Sequence, residues 1–441
     1  MKTISFLLLV VLATTGTSVG QPEKDTIQWL TESSFDLRTT NPDLKIEGIP
    51  FEKIFGDVEL VLVGEATHGT KEFAEIKHRL FRYLVENLGF RYFFIEADFT
   101  AGLSVDKYIC GKGGDPIEVL KGLRYFHIVN KEGLALIKWM KDYNETKSVS
   151  DKIRFFGIDC QASENAFTQL KGYFLRVDSV FYQEINGMNL KDHRPARPMR
   201  MVEKKYPLLT LSTDTTEILK NRLTTNKTSY IEASSQSEYE VALRLVEVLS
   251  QSFEIGQSDE GYGYSKREQG MAANVEWALN EIDPGPEKAF LWAHNGHVMY
   301  GDITERSGKL VGTSLGKILK NQLNGKVYSI GLHFNKGSFI ANEIKQDTIV
   351  KRVWTVDEVP ENRFLYLLSK TNMDALFMDF HSFHNKNVVS WLRDNKVRAY
   401  SVGGAYYPGY STYNSRSYPL LECFDGLIFI NNTHEITLDL H

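Results

Sequence analysis

The sequence predicts an α/β fold: a central, mainly parallel sheet flanked by helices, with a helical insertion forming a cap over a cleft. Two observations carry the prediction. Short apolar runs alternate with segments of helical periodicity over most of the chain. Three of those runs end in acids, histidines and glycines. Val58–Val63 leads into Gly64-Glu65-Ala66-Thr67-His68-Gly69, Tyr92–Ile95 ends at Glu96, and Ala289–Ala293 runs into His294-Asn295-Gly296-His297. In open α/β sheets the crevice beyond the carboxyl ends of the strands is where ligands bind, so three distant stretches are expected to meet in one site.

Taken in order, residues 1–20 read as a signal peptide. Met1-Lys2-Thr3 is a short positive start, Ile4 to Ala13 an apolar core, and Thr14 to Gly20 a run of small residues before Gln21. The apolar stretch is short for a bilayer span and lacks a positive stop-transfer flank, which argues against a membrane anchor. The expectation is export to the periplasm or medium, with 21–441 forming the catalytic domain. Further strands are expected at Ile153–Ile158, Val327–Leu332, Ala375–Asp379, Arg398–Val402 and Leu427–Ile430. After the first strand, Phe73, Ile76, Leu80, Leu84 and Leu88 recur at helical spacing, and Gly89 closes that helix. From about 165 to 263 the rhythm changes to helical patterns without a strong strand. This stretch reads as a cap over the crevice, ending in a mobile aromatic loop, Gly261-Tyr262-Gly263-Tyr264. A separate bundle with no part in the site is the alternative. Tyr406-Tyr407-Pro408-Gly409-Tyr410 reads as an aromatic rim loop or as plain surface tyrosines.

Composition narrows the partners. The formal net charge is −5 and no Lys/Arg block stands out, which disfavours nucleic acid and anionic membrane. Three cysteines, Cys110, Cys160 and Cys423, leave at least one thiol unpaired within the chain, and Cys160 follows a buried-strand pattern. Asn144, Asn226 and Asn431 begin N-x-Thr triplets, which matter only in a glycosylating host. The oligomeric state is not legible.

His68 is the leading candidate for proton chemistry, because a neutral imidazole can take a proton from water near neutral pH. Glu65, three residues earlier, is placed to orient its ring, and Glu96 from another strand end is a second candidate partner. His294 and His297 flank a tight turn and are candidates for stabilising an oxyanion or positioning substrate. Arg267, read as opening a helix with Glu268, shares a face with Met271 and Asn274, so Arg267 is a candidate carboxylate or oxyanion clamp. Lys77, Asn274 and Tyr264 are candidates for substrate contact. Glu65, Glu96, His68, His294 and His297 would also make a mixed ligand set for zinc or manganese. No His-Glu-x-x-His helix, Asp-rich loop, Gly-x-Ser-x-Gly elbow or phosphate loop is present.

These motifs together resemble the erythromycin esterase family. The resemblance runs from about Ile54 to the C-terminus on GEATHG (Gly64–Gly69), FIEA (Phe94–Ala97), FFGIDCQ (Phe155–Gln161), RExxMxxN (Arg267–Asn274), AHNGHV (Ala293–Val298) and FDGLIFI (Phe424–Ile430). It implies an α/β core with a helical cap, and hydrolysis of an ester, with macrolide lactones as the named substrate. It further implies that His68 activates water without a covalent intermediate. Glu65 and Glu96 then orient base or water, His294, His297 and Arg267 complete the site, and no metal or other cofactor is needed. Two other readings stay open: a metal-dependent hydrolase using the same residues as ligands, and an exported, non-catalytic binding protein for a hydrophobic or tetrapyrrole ligand.

Overall fold

A computed structural model describes residues 21–161, 164–188, 213–258, 260–282, 288–304, 309–345, 348–357, 363–384, 386–409 and 411–440. The expected signal peptide lies outside them. Among the described residues no helix is long and apolar enough to cross a membrane.

The centre is a mixed sheet. Its strands run in the order Phe35–Asp36, Ala375–Asp379, Gly426–Thr433, Val327–Lys345, Leu60–Val63, Lys288–Trp292, Phe90–Asp98 and Arg154–Asp159. From Gly426–Thr433 to Arg154–Asp159 every neighbouring pair is parallel. Ala375–Asp379 and Phe35–Asp36 are antiparallel to their neighbours. Leu60–Val63 is four buried apolar residues, as expected of a parallel strand covered by helices on both faces. On one face Phe81, Phe93, Phe155, Phe290 and Trp292 pack in a core with Lys71–Leu88 and Lys131–Glu145. On the other, Leu60, Leu62, Phe94, Phe156 and Leu291 meet Met271 and Val275 of the helix Glu260–Trp277, and Leu315 and Leu319 of Leu315–Gln322. The Lys71–Leu88 helix stops where the spacing predicts, with Gly89 left-handed at φ +77 and its N–H bonded to the Leu84 carbonyl.

Three expectations need correction. The strand expected at Arg398–Val402 is Val397–Tyr400, and it lies outside the main sheet, paired antiparallel with Ser415–Tyr418. The Val327 strand continues to Lys345, well past the sheet, where its far end pairs with Thr348–Val356 in a hairpin that the sequence reading missed. The aromatic loop at 261–264 is helix. Glu260–Trp277 runs through both glycines; the modest cost of glycine in a helix is set against the stacking of Tyr264 on His297. Arg267 therefore lies inside this helix and does not open it.

The predicted helical stretch is present as Glu164–Val177, Ser179–Asn186, Thr213–Thr225, Lys227–Ala233 and Gln236–Gln257. These helices share a core of their own, in which Phe174, Leu249 and Phe253 meet Phe99 and Leu103 from the helix Phe99–Ile109. All three cysteines are free, Cys160 and Cys423 buried. Asn144 is also buried, its amide bonded to the backbone of Ile109 and Ile153, so that triplet is inaccessible in the folded protein. Tyr406 packs on Trp354 and Phe339 of the hairpin, which makes it part of a packed surface; Tyr410 lies outside the described residues.

Candidate active site

Four adjacent parallel strands supply the site from their carboxyl ends. Val63 lies opposite Trp292, and Ile95 lies opposite both Trp292 and Gly157. The next residues along these strands, Glu65, His294, Glu96 and Asp159, therefore emerge at one level of the sheet. Gly64 allows the close approach: a Cβ there would collide with Asn295 and Val298. Asn295 is itself fixed, its amide donating to the Leu332 carbonyl at 2.8 Å and accepting from the Leu332 N–H at 3.1 Å.

His68 and Glu65 form a dyad. The Nδ1 of His68 lies 2.5 Å from a Glu65 oxygen. The other Glu65 oxygen accepts from Lys77 Nζ and from the Trp292 indole N–H at 2.7 Å. Burial alone would raise the Glu65 pKa, but Lys77 and then the His68 hydrogen bond overcome it and hold the carboxyl down at about 2. Burial in turn lowers Lys77 to about 8 against the pull of Glu65. Lys77 also lies 4.2 Å above the Trp292 ring, so it is wholly engaged under the site. Its place is that of a counter-charge for Glu65.

Beside the dyad lies a denser ionic cluster. Arg267 grips Asp159 with two parallel bonds, Nε at 3.0 Å and NH2 at 2.9 Å, and NH2 also reaches Glu96 at 2.7 Å. Glu96 accepts from the His294 backbone N–H at 2.9 Å and lies 3.1 Å from His297 Nε2. His297 Nδ1 is bonded to Glu268, whose other oxygen accepts from the Leu315 N–H at 2.7 Å. Burial opposes charge on His297, yet Glu268 and Glu96 raise it to about 10. The two carboxylates thus favour the charged ring, whose Nε2 also lies 3.1 Å from Arg267 NH1. Burial opposes charge on Glu96 as well, but His297 and Arg267 hold it well below the ordinary range. Tyr264 stacks on the His297 ring at 5.5 Å.

His294 behaves oppositely. Its Nδ1 accepts from the Gly296 N–H at 3.1 Å, so its proton sits on Nε2, and that nitrogen is buried without a partner among the described residues. Burial and then the nearby His68 lower its pKa to about 3. It is a neutral donor 5.2 Å, centre to centre, from the His68 ring.

The fold thus brings together His68, Glu65, Glu96, His294, His297, Arg267, Lys77 and Tyr264. It does not bring Asn274 into the crevice. The Asn274 amide accepts from Arg244 and donates to the Ile158 carbonyl at 2.8 Å, tying the helix to the sheet; its substrate role is corrected. Asp159, Glu268 and His127 were missed as site residues. Asp159 ends a strand and was open to the same reasoning as Glu96, and Glu268 adjoins Arg267. His127 lies in a loop with no periodic signal, yet its ring is 5.2 Å from that of His68. Among the described residues no three of His, Cys, Asp and Glu converge as metal ligands.

Comparison with known proteins agrees with this architecture. The erythromycin esterase family model matches residues 85–433. Erythromycin esterase type II of Escherichia coli is 25% identical over 350 residues, 73% of this chain and 80% of that protein. Among solved structures, a Bacillus cereus protein superposes with a TM-score of 0.76 at 22% identity, covering 95% of this chain and 99% of the other. A mutant of erythromycin esterase EreC, in an open conformation, superposes with a TM-score of 0.60 at 17% identity over 91% and 99%. The family match spans most of the chain: the protein belongs to the erythromycin esterase family and is a hydrolase of that family.

Proposed function

We propose that the protein is an exported ester hydrolase in which His68 activates water directly, without a covalent intermediate. The observation that carries this reading is the dyad. The Glu65 carboxylate can only accept a hydrogen bond, so His68 carries its proton on Nδ1, leaving Nε2 as the base. No partner for that Nε2 is recorded among the described residues, and His68 is partly exposed whereas Glu65 is buried.

Water attacks the ester carbonyl as Nε2 takes its proton; the same proton then returns to the departing alkoxide. His294, neutral with Nε2–H unpaired, supplies a donor for the developing oxyanion. The Arg267–His297 pair, held by Glu96, Asp159 and Glu268, keeps the strand ends rigid and provides fixed positive charge beside the reacting carbonyl. A macrolide lactone is the substrate to try first, by kinship. The helix Gln236–Gln257 of the cap borders Glu260–Trp277, which carries Tyr264 and Arg267, and the cap is proposed to select the substrate.

The test is mass spectrometry of erythromycin incubated with the metal-stripped protein and with His68→Ala. A gain of one water that only the wild type produces supports a metal-free macrolide esterase. Equal turnover by His68→Ala refutes His68 as base. Intact drug in both refutes the macrolide as substrate and turns the assay to other esters.

A further inference from the structure

One buried polar group at the site has no part in the scheme above. The His127 ring lies 5.2 Å from that of His68, inclined by 30°, with Tyr125 stacked on it at 5.7 Å and Trp292 at 6.4 Å. Its Nε2 is buried and has no hydrogen-bond partner among the described residues. The same is true of His294 Nε2, whose ring is also 5.2 Å from His68. Buried polar atoms in native proteins are almost always paired, and an exception at a reactive centre calls for an explanation. Two such atoms, on two imidazoles that both pack against the base, point to a ligand that pairs with them when bound.

The backbone carrying His127 is fixed. The N–H groups of Ile128 and Val129 both donate to the Tyr125 carbonyl, and Lys131 donates to Thr437. Asn130 caps the next helix through the Gly133 N–H at 2.7 Å and donates to the Phe126 carbonyl at 2.8 Å. A side chain that served only to pack between Tyr125, His68 and Trp292 needs no nitrogen; phenylalanine would fill the place and leave nothing unpaired. The charged and titratable groups facing His127 are His68, Glu65, Glu96 and Lys77, and burial followed by His68 lowers it to about 4, so it is uncharged at neutral pH.

We propose that His127 is a substrate-contacting residue of this site, its Nε2 pairing with an oxygen of the bound ester close to the attacked carbonyl, alongside His294. The proposal rests on the ester-hydrolase reading and narrows it. Two uncharged imidazoles offer hydrogen bonding without charge on their side of the base, which favours an uncharged, oxygen-bearing group of the ester at that position.

The experiment compares hydrolysis of p-nitrophenyl acetate by the full chain with that by its His127→Phe, His127→Asn and His68→Ala variants, each checked for a wild-type melting curve. It is paired with 15N-histidine NMR of the wild type titrated with dimethyl methylphosphonate, an uncharged ester mimic. His127→Phe is expected to lower kcat/KM at least about tenfold, as expected for loss of one donor at a reacting centre. His127→Asn, which regains a polar group, should recover part of that loss, and the His127 Nε2 resonance should move on titration. Wild-type kcat/KM in His127→Phe, in an enzyme that His68→Ala inactivates, overturns the proposal and leaves the base assignment standing. Retained activity in His68→Ala sinks the base assignment, while the Phe–Asn contrast still judges His127. If the wild type hydrolyses no ester, an unmoved His127 resonance overturns the proposal independently, as it does if both variants misfold.

Discussion

Replacing Lys77 by methionine isolates what holds the His68–Glu65 dyad together. Methionine keeps the apolar stem in its buried seat and removes only the charge that faces Glu65 and the Trp292 ring. In the wild type, burial would raise Glu65, but Lys77 and His68 hold it at about 2 against an ordinary value of 4.5. A carboxyl whose folded pKa lies below its unfolded one stabilises the fold above the unfolded value, and the contribution is lost as pH falls through the folded value. In Lys77→Met the sign reverses, because burial then acts on a carboxylate without its main counter-charge.

The magnitude has a ceiling. At pH 7 the variant can always escape the unpaired charge by protonating Glu65. Relative to an unfolded carboxyl near 4.5, that costs 2.5 pH units at about 1.4 kcal/mol each, or roughly 3.4 kcal/mol. The unpaired-charge part of the destabilisation is therefore at most about 3.4 kcal/mol at pH 7, and should shrink by up to about 1.4 kcal/mol per unit as the assay moves towards pH 5. Chemical denaturation of wild type, Lys77→Met and Lys77→Met/Glu65→Gln at pH 5, 6 and 7 reads it directly. The double variant should regain much of the loss at pH 7 and little at pH 5. Ester turnover should fall by about 10²-fold or more in both, since a neutral Glu65 no longer fixes the His68 tautomer. A Lys77→Met protein as stable as wild type at pH 7, or one whose deficit does not change between pH 5 and 7, would show that Lys77 is not the counter-charge that keeps Glu65 ionised.

Two further expectations follow from the same charges. His127 and His294 are lowered to about 4 and 3 by burial and by His68, whereas unfolded histidine titrates near 6.5; between those values the unfolded chain binds more protons, so stability should fall as pH drops below 6.5. His297, raised to about 10, contributes stability that is whole below 6.5 and fades from there towards pH 10. Urea unfolding across pH 4–10 should therefore show a maximum near neutrality, and replacing His297 by Gln should flatten the alkaline limb; an unchanged limb refutes its imidazolium state. Asn274→Ala should cost about 1–3 kcal/mol, since it leaves the half-buried Arg244 and the Ile158 carbonyl without this partner, while kcat/KM of the folded fraction stays near wild type; a selective loss of kcat/KM would restore Asn274 as a substrate contact.

What the sequence made legible was local, and what it hid was long-range. Leu60–Val63, within the expected Val58–Val63, and Ala289–Ala293 could be read as strands because a parallel strand covered on both faces needs an unbroken apolar run, and that need is written in consecutive residues. The acids and histidines after them could be nominated because ligands gather at strand ends. The partners of those residues are set by sheet order, which no local pattern encodes. Arg267 meets Asp159 and Glu96 across separations of 108 and 171 residues, and His127 meets His68 only because a loop between two helices folds over the strand ends. Composition also misled. Two glycines and two tyrosines at 261–264 look like a loop, but they lie in helix, with Tyr264 stacked on the His297 ring, a long-range contact that composition does not show.

Asn274 shows where helical periodicity stops being informative. Positions 267, 271 and 274 do share a face, but residue 274 lies seven positions, about 10 Å, further along the axis than residue 267. That distance separates an arginine reaching the crevice from an asparagine beneath the helix Gln236–Gln257 that carries Arg244. The charges sort the same way. In the crevice, Arg267 and the His297 imidazolium are set among Glu96, Asp159 and Glu268, and Lys77 is set against Glu65. Glu65, Glu96, His297 and Arg267 are thereby kept ionised despite burial, with His127 and His294 neutral beside them. His68 therefore faces carboxylates and histidines whose titrations lie well away from neutral pH, which is the condition for one imidazole to take a proton from water while its neighbours keep theirs.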